Sequence, residues 1–224
     1  MREIVLDTET TGLSPSAGDK LVEIGCVELI NKISSGAVFH QYINPGRGVP
    51  EEAFAIHGLS EEFLSDKPKF AEIADEFLEF LGEAQLIIHN AEFDISFLNA
   101  ELELASRQCI SINRTTDTLR LARQKFPGSP VSLDALCKRF KIDCSNRRLH
   151  GALLDSQLLA EVYQELIGGR QGGFKLETSQ QLAHETGVPA KKIRRPRKTA
   201  PNTDELAAHA AFISRFKKSI WNQA

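Results

Sequence analysis

Asp7 and Glu9 in LDTETTGL, Asp94 in HNAEFD, and His150 with Asp155 in HGALLD place four carboxylates and one imidazole in three short motifs. Hard divalent cations prefer oxygen ligands, and magnesium is held by a few carboxylates while it keeps water and phosphate oxygens. Two acids side by side at the edge of a core cost stability unless a cation neutralises them. An imidazole that titrates near neutrality can take a proton from an attacking water. Together these residues read as a metal-dependent nuclease site. The absence of His-x-x-x-His or paired-Cys spacing argues against zinc.

The elements that must position these groups follow from pattern. Ile4, Val5 and Leu6 form a short apolar run, the signature of a buried central strand, and period-two alternation puts Asp7 and Glu9 on one face at its end. The competing reading has Asp7 capping a turn before Gly12 while Glu9 points into water. Leu86, Ile87 and Ile88 form a second short run. Phe93, Phe97, Leu98, Leu102 and Leu104 then keep a helical stripe, so Asp94 falls on a helix's first turn, where a lone acid would simply match the helix dipole. Asp155 interrupts the amphipathic stretch Leu153, Leu154, Leu158, Leu159, Val162 and Leu166, and an acid there requires a reason.

Strands are expected near 2–7, 21–29 and 37–44, close enough for an antiparallel meander, with shorter ones near 85–89 and 114–117. Helices are expected near 70–81, 93–106, 117–125, 132–140 and 152–167. The fold class is α/β with a mixed sheet flanked by helices.

At 224 residues the chain can bury one good core with length to spare. No stretch approaches the roughly 20 apolar residues of a membrane span, and Met1 runs almost directly into the first strand without a leader. Cys26, Cys109, Cys137 and Cys144 lack Cys-x-x-Cys pairing and read as reduced thiols of a cytoplasmic protein. Residues 168–224 hold 11 Lys or Arg against 4 Asp or Glu, a net of +7, so the preceding residues carry −10. Nucleic-acid affinity rests on phosphate neutralisation. A core of that charge must rely on bound metal, on a local pocket, and on another protein that delivers the end to be cut.

The three motifs resemble those of the DEDD superfamily of 3'-to-5' exonucleases, in its histidine-containing branch. There the pattern is Asp-x-Glu, then Asn-x-x-x-Asp with Phe before the acid, then His-x-Ala-x-x-Asp. This chain supplies Asp7-Thr8-Glu9, Asn90 to Asp94, and His150 to Asp155. The match spans roughly residues 1–168, and the phrases DTETTGL and IHGL are most similar to the proofreading nucleases of bacterial replicative polymerases. The resemblance implies a ribonuclease H-like architecture and two Mg2+ ions about 4 Å apart, with Mn2+ as a substitute. It implies Asp7, Glu9, Asp94 and Asp155 as metal ligands, His150 as the base, and a nucleoside 5'-monophosphate as the product. Thr8, Glu9, Thr10, Ile56, His57, Leu59 and Phe93 would line the pocket for the last nucleotide of a frayed DNA 3' end. Alternatively, Ile56 and Leu59 are core residues beneath a surface loop.

Composition shifts at Gly168 and Gly169, which mark the expected end of a nuclease domain at residue 168. Residues 169–202 read as a flexible linker. Within it, Gln171, Phe174 and Leu176 look like a degenerate sliding-clamp-binding peptide. The basic cluster Lys191, Lys192, Arg194, Arg195, Arg197 and Lys198, set among prolines, reads as solvated linker rather than a nucleic-acid patch. Residues 203–224 read as a helix capped by Thr203, with Asp204 and Glu205 in its first turn and Lys217 and Lys218 near its end. Leu206, Ile213 and Ile220 recur every seven residues, flanked by Phe212, Phe216 and Trp221. Such an aromatic stripe beyond a linker is expected to dock on a partner, which the resemblance identifies as the polymerase (alpha) subunit. Packing back on the nuclease domain is the alternative. The motifs also occur in RNA-processing relatives such as RNase T and oligoribonuclease, and a catalytically silent tether between clamp and polymerase is a third reading.

Overall fold

The computed structural model describes residues 1–144, 149–168 and 201–215. The chain divides into two units, Met1–Phe174 and Lys175–Ala224. In the first unit, β1 (Arg2–Thr10), β2 (Leu21–Ile30) and β3 (Ile33–Tyr42) form the antiparallel meander. Next come α1 (Glu51–His57), α2 (Glu61–Ser65), α3 (Phe70–Leu81), β4 (Gln85–Ile88), α4 (Ala91–Leu104), β5 (Thr115–Asp117), α5 (Thr118–Lys125), α6 (Leu133–Phe140) and α7 (Ala152–Ile167). The sheet order is β3-β2-β1-β4-β5, with β4 parallel to both β1 and β5. A mixed five-stranded sheet flanked by helices is therefore the observed architecture.

The central strand β1 is buried on both faces because a core lies on each side of the sheet. Ile4 and Leu6 pack with Phe77 of α3 and Phe97 and Leu98 of α4. Val5 packs on the opposite face with Leu159 and Val162 of α7. This alternation assigns every residue of β1 to one layer or the other. Glu3 is a buried acid on the α7 side. It accepts from Tyr163 Oη at 3.0 Å and from Lys32 Nζ, and Gln164 Nε2 donates to the Lys32 carbonyl at 2.6 Å. These bonds staple the far end of α7 to the β2–β3 turn.

Several boundaries differ from expectation. β1 runs to Thr10 rather than ending at residue 7, because its polar end keeps pairing with β2 as far as Thr10 opposite Leu21. β3 lies over Ile33–Tyr42, earlier than expected. Two short helices occupy the segment read as a loop: α1 closes at Gly58 with φ 72°, and α2 is capped by Ser60, whose Oγ accepts from the Phe63 amide at 3.1 Å. All four cysteines are free thiols. No helix among the described residues is long and apolar enough to cross a membrane.

In the second unit, α8 spans Thr203–Ile213. Its cap is Asn202, not Thr203: Asn202 Oδ1 accepts from the Glu205 amide at 2.8 Å and Glu205 Oε2 accepts from the Asn202 amide at 2.9 Å, a reciprocal capping box. Leu206 and Phe212 are more than half exposed. Phe216, Ile220, Trp221, Gln171, Phe174, Leu176 and the basic cluster lie outside the described residues.

Candidate active site

β1 contributes first. Asp7 and Glu9 continue the Val5 side of the strand toward α7, whereas Thr8 continues the Ile4 and Leu6 side toward α4. Asp7 sits opposite Gly25 of β2. A β-carbon at Gly25 would collide with the Ala152 carbonyl and the Leu153 amide, so the missing side chain lets the start of α7 rest directly on the sheet. Ser156 Oγ locks that contact by donating to the Gly25 carbonyl at 2.8 Å. Asp155, 2% exposed, is thereby brought onto the same cavity as Asp7 and Glu9.

The remaining groups arrive from two other elements. Asp94, on the first turn of α4 and 3% exposed, accepts from Thr8 Oγ1 at 2.7 Å. Burial pushes its carboxyl up to about 7, against the opposing hydrogen bonds from Thr8 and the backbone. His150 precedes α7. Its amide donates to the Ile56 carbonyl at 3.1 Å, and its Nδ1 lies 3.3 Å from Asp155 Oδ2, with the ring half exposed.

Asp7, Glu9, Asp94, His150 and Asp155 all line one cavity of about 250 Å³. The tightest group is Glu9, His150 and Asp155, whose potential ligand atoms lie within 4.8 Å of one another; Asp7 and Asp94 stand on the same cavity outside that group. Asp134 adds a fifth carboxylate, and among the described residues neither Lys nor Arg lines the cavity. A concentration of five carboxylates suits a hard divalent cation, so the residues present fit one.

Asp134, Ser132 and His89 also line this cavity and were not singled out from sequence. Ser132 caps α6, and His89 pairs through Nδ1 with Thr118 Oγ1 at 2.9 Å while burial lowers its pKa. The available signals were local: His89 abuts Asn90, and Ser132-Leu133-Asp134 opens a helix.

A second cavity of about 470 Å³ adjoins the first, sharing Thr8, Glu9 and Phe93. Thr10, Ile56 and His57 line it. Leu59 lines neither cavity. It follows the end of α1, where its amide donates to His57 Nδ1 at 3.0 Å. Ile56 is 51% exposed rather than a core residue, whereas His57 is buried, which lowers its pKa. The Thr8 hydroxyl is engaged with Asp94, so its place in this pocket comes with a second duty.

A family model described as Exonuclease, of the RNase T group, matches residues 4–163. The chain is 51% identical to DNA polymerase III subunit epsilon of Rickettsia conorii, over 99% of each chain. It is 45% identical to the Escherichia coli K12 subunit of the same name, over 97% of this chain and 94% of that one. Among solved structures, exonuclease X in complex with 5' overhanging duplex DNA matches with TM-score 0.58 at 28% identity, covering 74% of this chain and 90% of that one. The nuclease domain of 3'hExo, a DEDDh family member bound to rAMP, matches with TM-score 0.63 over 74% and 91%. At 17% identity, that match is a likeness of fold.

Proposed function

The chain belongs to the exonuclease family, and from that membership we propose that it is the proofreading 3'-to-5' exonuclease subunit of a bacterial DNA polymerase III, removing mismatched 3'-terminal nucleotides as 5'-monophosphates. The observation that carries this reading is coverage. Likeness to the polymerase subunits runs through nearly all of both chains, tail included, whereas likeness to exonuclease X and 3'hExo covers 74% of this chain. Mismatched DNA primers digested in preference to RNA tails, by protein co-purified with the polymerase subunit, would bear it out. Preference for RNA tails would overturn it.

The family is divalent-metal dependent, and Mg2+, with Mn2+ as a substitute, is the ion we assign. When bound, such ions polarise the scissile phosphate and lower the pKa of an attacking water. Asp7, Glu9, Asp94 and Asp155 would hold them, since hard cations prefer carboxylate oxygen to imidazole. His150 is thereby left for the water. With Nδ1–H directed at Asp155, its Nε2 is the proton acceptor. The second cavity, adjoining the acids and walled by Ile56, His57 and Phe93, suits an unstacked terminal base. His150→Ala is expected to keep the fold and metal binding while turnover falls by about 10²- to 10⁴-fold, measured on a mismatched primer.

The −10 charge of the first 167 residues leaves delivery of the DNA end to others. We assign α8 and the residues beyond it to the polymerase alpha subunit, and the peptide around Gln171, Phe174 and Leu176 to the sliding clamp. The exposed Leu206 and Phe212 support the first assignment. Deleting residues 200–224 should abolish co-purification with the polymerase while the exonuclease rate on free primer is unchanged. Retained binding would refute it. A cytoplasmic location accords with four free thiols.

A further inference from the structure

The end of α1 serves two sites at once. Ile56 and His57 wall the apolar cavity, and the Ile56 carbonyl also accepts the backbone amide of His150. One residue earlier, Leu149 rests on Gly58, the left-handed residue that closes α1: a β-carbon there would lie 2.5 Å from Leu149 Cδ1. Leu149 is 50% exposed and belongs to neither core cluster, so its seat on bare backbone at Gly58 is not part of the general packing of the domain. The ring of His150 is half exposed, with Nδ1 3.3 Å from Asp155 Oδ2. The backbone bond to the Ile56 carbonyl holds the residue beside that approach.

We propose that Leu149 is a positioning residue: seated on Gly58, it ties the backbone of His150 to the wall of the nucleotide cavity. A terminal nucleotide held against Ile56 and His57 then bears on the same helix end that fixes the base. The inference rests on reading His150 as the base. A misplacement near 1 Å is enough to cost about 10²-fold in rate, so a partial loss of the anchor should register in turnover rather than in binding.

The test compares Leu149→Ala, Leu149→Met and His150→Ala in the full chain with Mg2+ and a mismatched primer. Leu149→Ala should lower kcat by about tenfold with KM and affinity for dTMP unchanged, and Leu149→Met should restore kcat to within about twofold. A wild-type kcat in Leu149→Ala beside an inactive His150→Ala would overturn this inference and leave the assigned function standing. A raised KM at constant kcat would make Leu149 a nucleotide contact and likewise overturn it. Full activity in His150→Ala would instead remove the reading of the base, and this inference with it.

Discussion

Replacing Asp94 by asparagine is expected to abolish exonuclease turnover and at the same time raise the melting temperature of the metal-free protein at pH 8. The folded carboxyl sits at about 7 because burial outweighs its hydrogen bonds, whereas an unfolded aspartate titrates at about 3.9. The folded state therefore binds the proton more tightly. That stabilising contribution is complete below about pH 4 and is lost as pH rises through about 7. At pH 8 the desolvated carboxylate costs roughly 4 kcal/mol in the absence of a cation. Asparagine removes the charge and keeps an oxygen to accept from Thr8. At about 2–4 °C per kcal/mol for a chain of this size, the gain is several degrees at pH 8 and close to zero near pH 4. Calorimetry in chelator at both pH values measures it, and a lower melting temperature at pH 8 would contradict the account. In the wild type, protons compete with the cation for Asp94, so metal affinity measured by titration of the metal-free protein should weaken as pH drops below about 7.

Gly25→Ala should be nearly as damaging to activity, by a purely steric route. The new methyl group would meet backbone atoms of Ala152 and Leu153, which cannot rotate aside as a side chain can. α7 must lift from β2, taking Asp155 and His150 away from Asp7 and Glu9, and a shift near 1 Å costs about 10²-fold in rate. Overpacking of this kind also costs about 1–3 kcal/mol of stability. Ser156→Ala removes only the hydrogen bond to the Gly25 carbonyl, so its loss should be milder. A primer-digestion assay beside thermal melts of both variants checks the order, and equal rates for the two would sink the close-approach argument.

The three candidate motifs were legible because each follows or opens an element with an unambiguous pattern. Ile4 to Leu6 announce a strand, and Leu153 to Leu166 announce a helix. The end of β1 was harder to read because Thr8, Glu9 and Thr10 carry no apolar signal; pairing with β2, a long-range fact, extends the strand. α1 and α2 were hidden for another reason: at 7 and 5 residues they are too short for a helical stripe to register. At α8, adjacent Asn202 and Thr203 can both cap, and Glu205 three residues after Asn202 decides between them. Gly25 gave the faintest sign. A glycine inside a strand indicates close backbone approach, yet nothing local identifies α7 as what approaches.

The anchors of α7 have a consequence in time. Ser156 reaches back 131 residues to Gly25, and Tyr163 reaches back 160 residues to Glu3. A chain leaving the ribosome can pair β1, β2 and β3 and set Asp94 beside Thr8 while His150 and Asp155 are still unmade. Contacts of such long sequence separation form late and slowly. α7 therefore brings Asp155, and His150 just before it, to the candidate site, and cutting would await the closing of that helix against the sheet. A truncated or half-made copy would hold an acidic pocket and no means of using it.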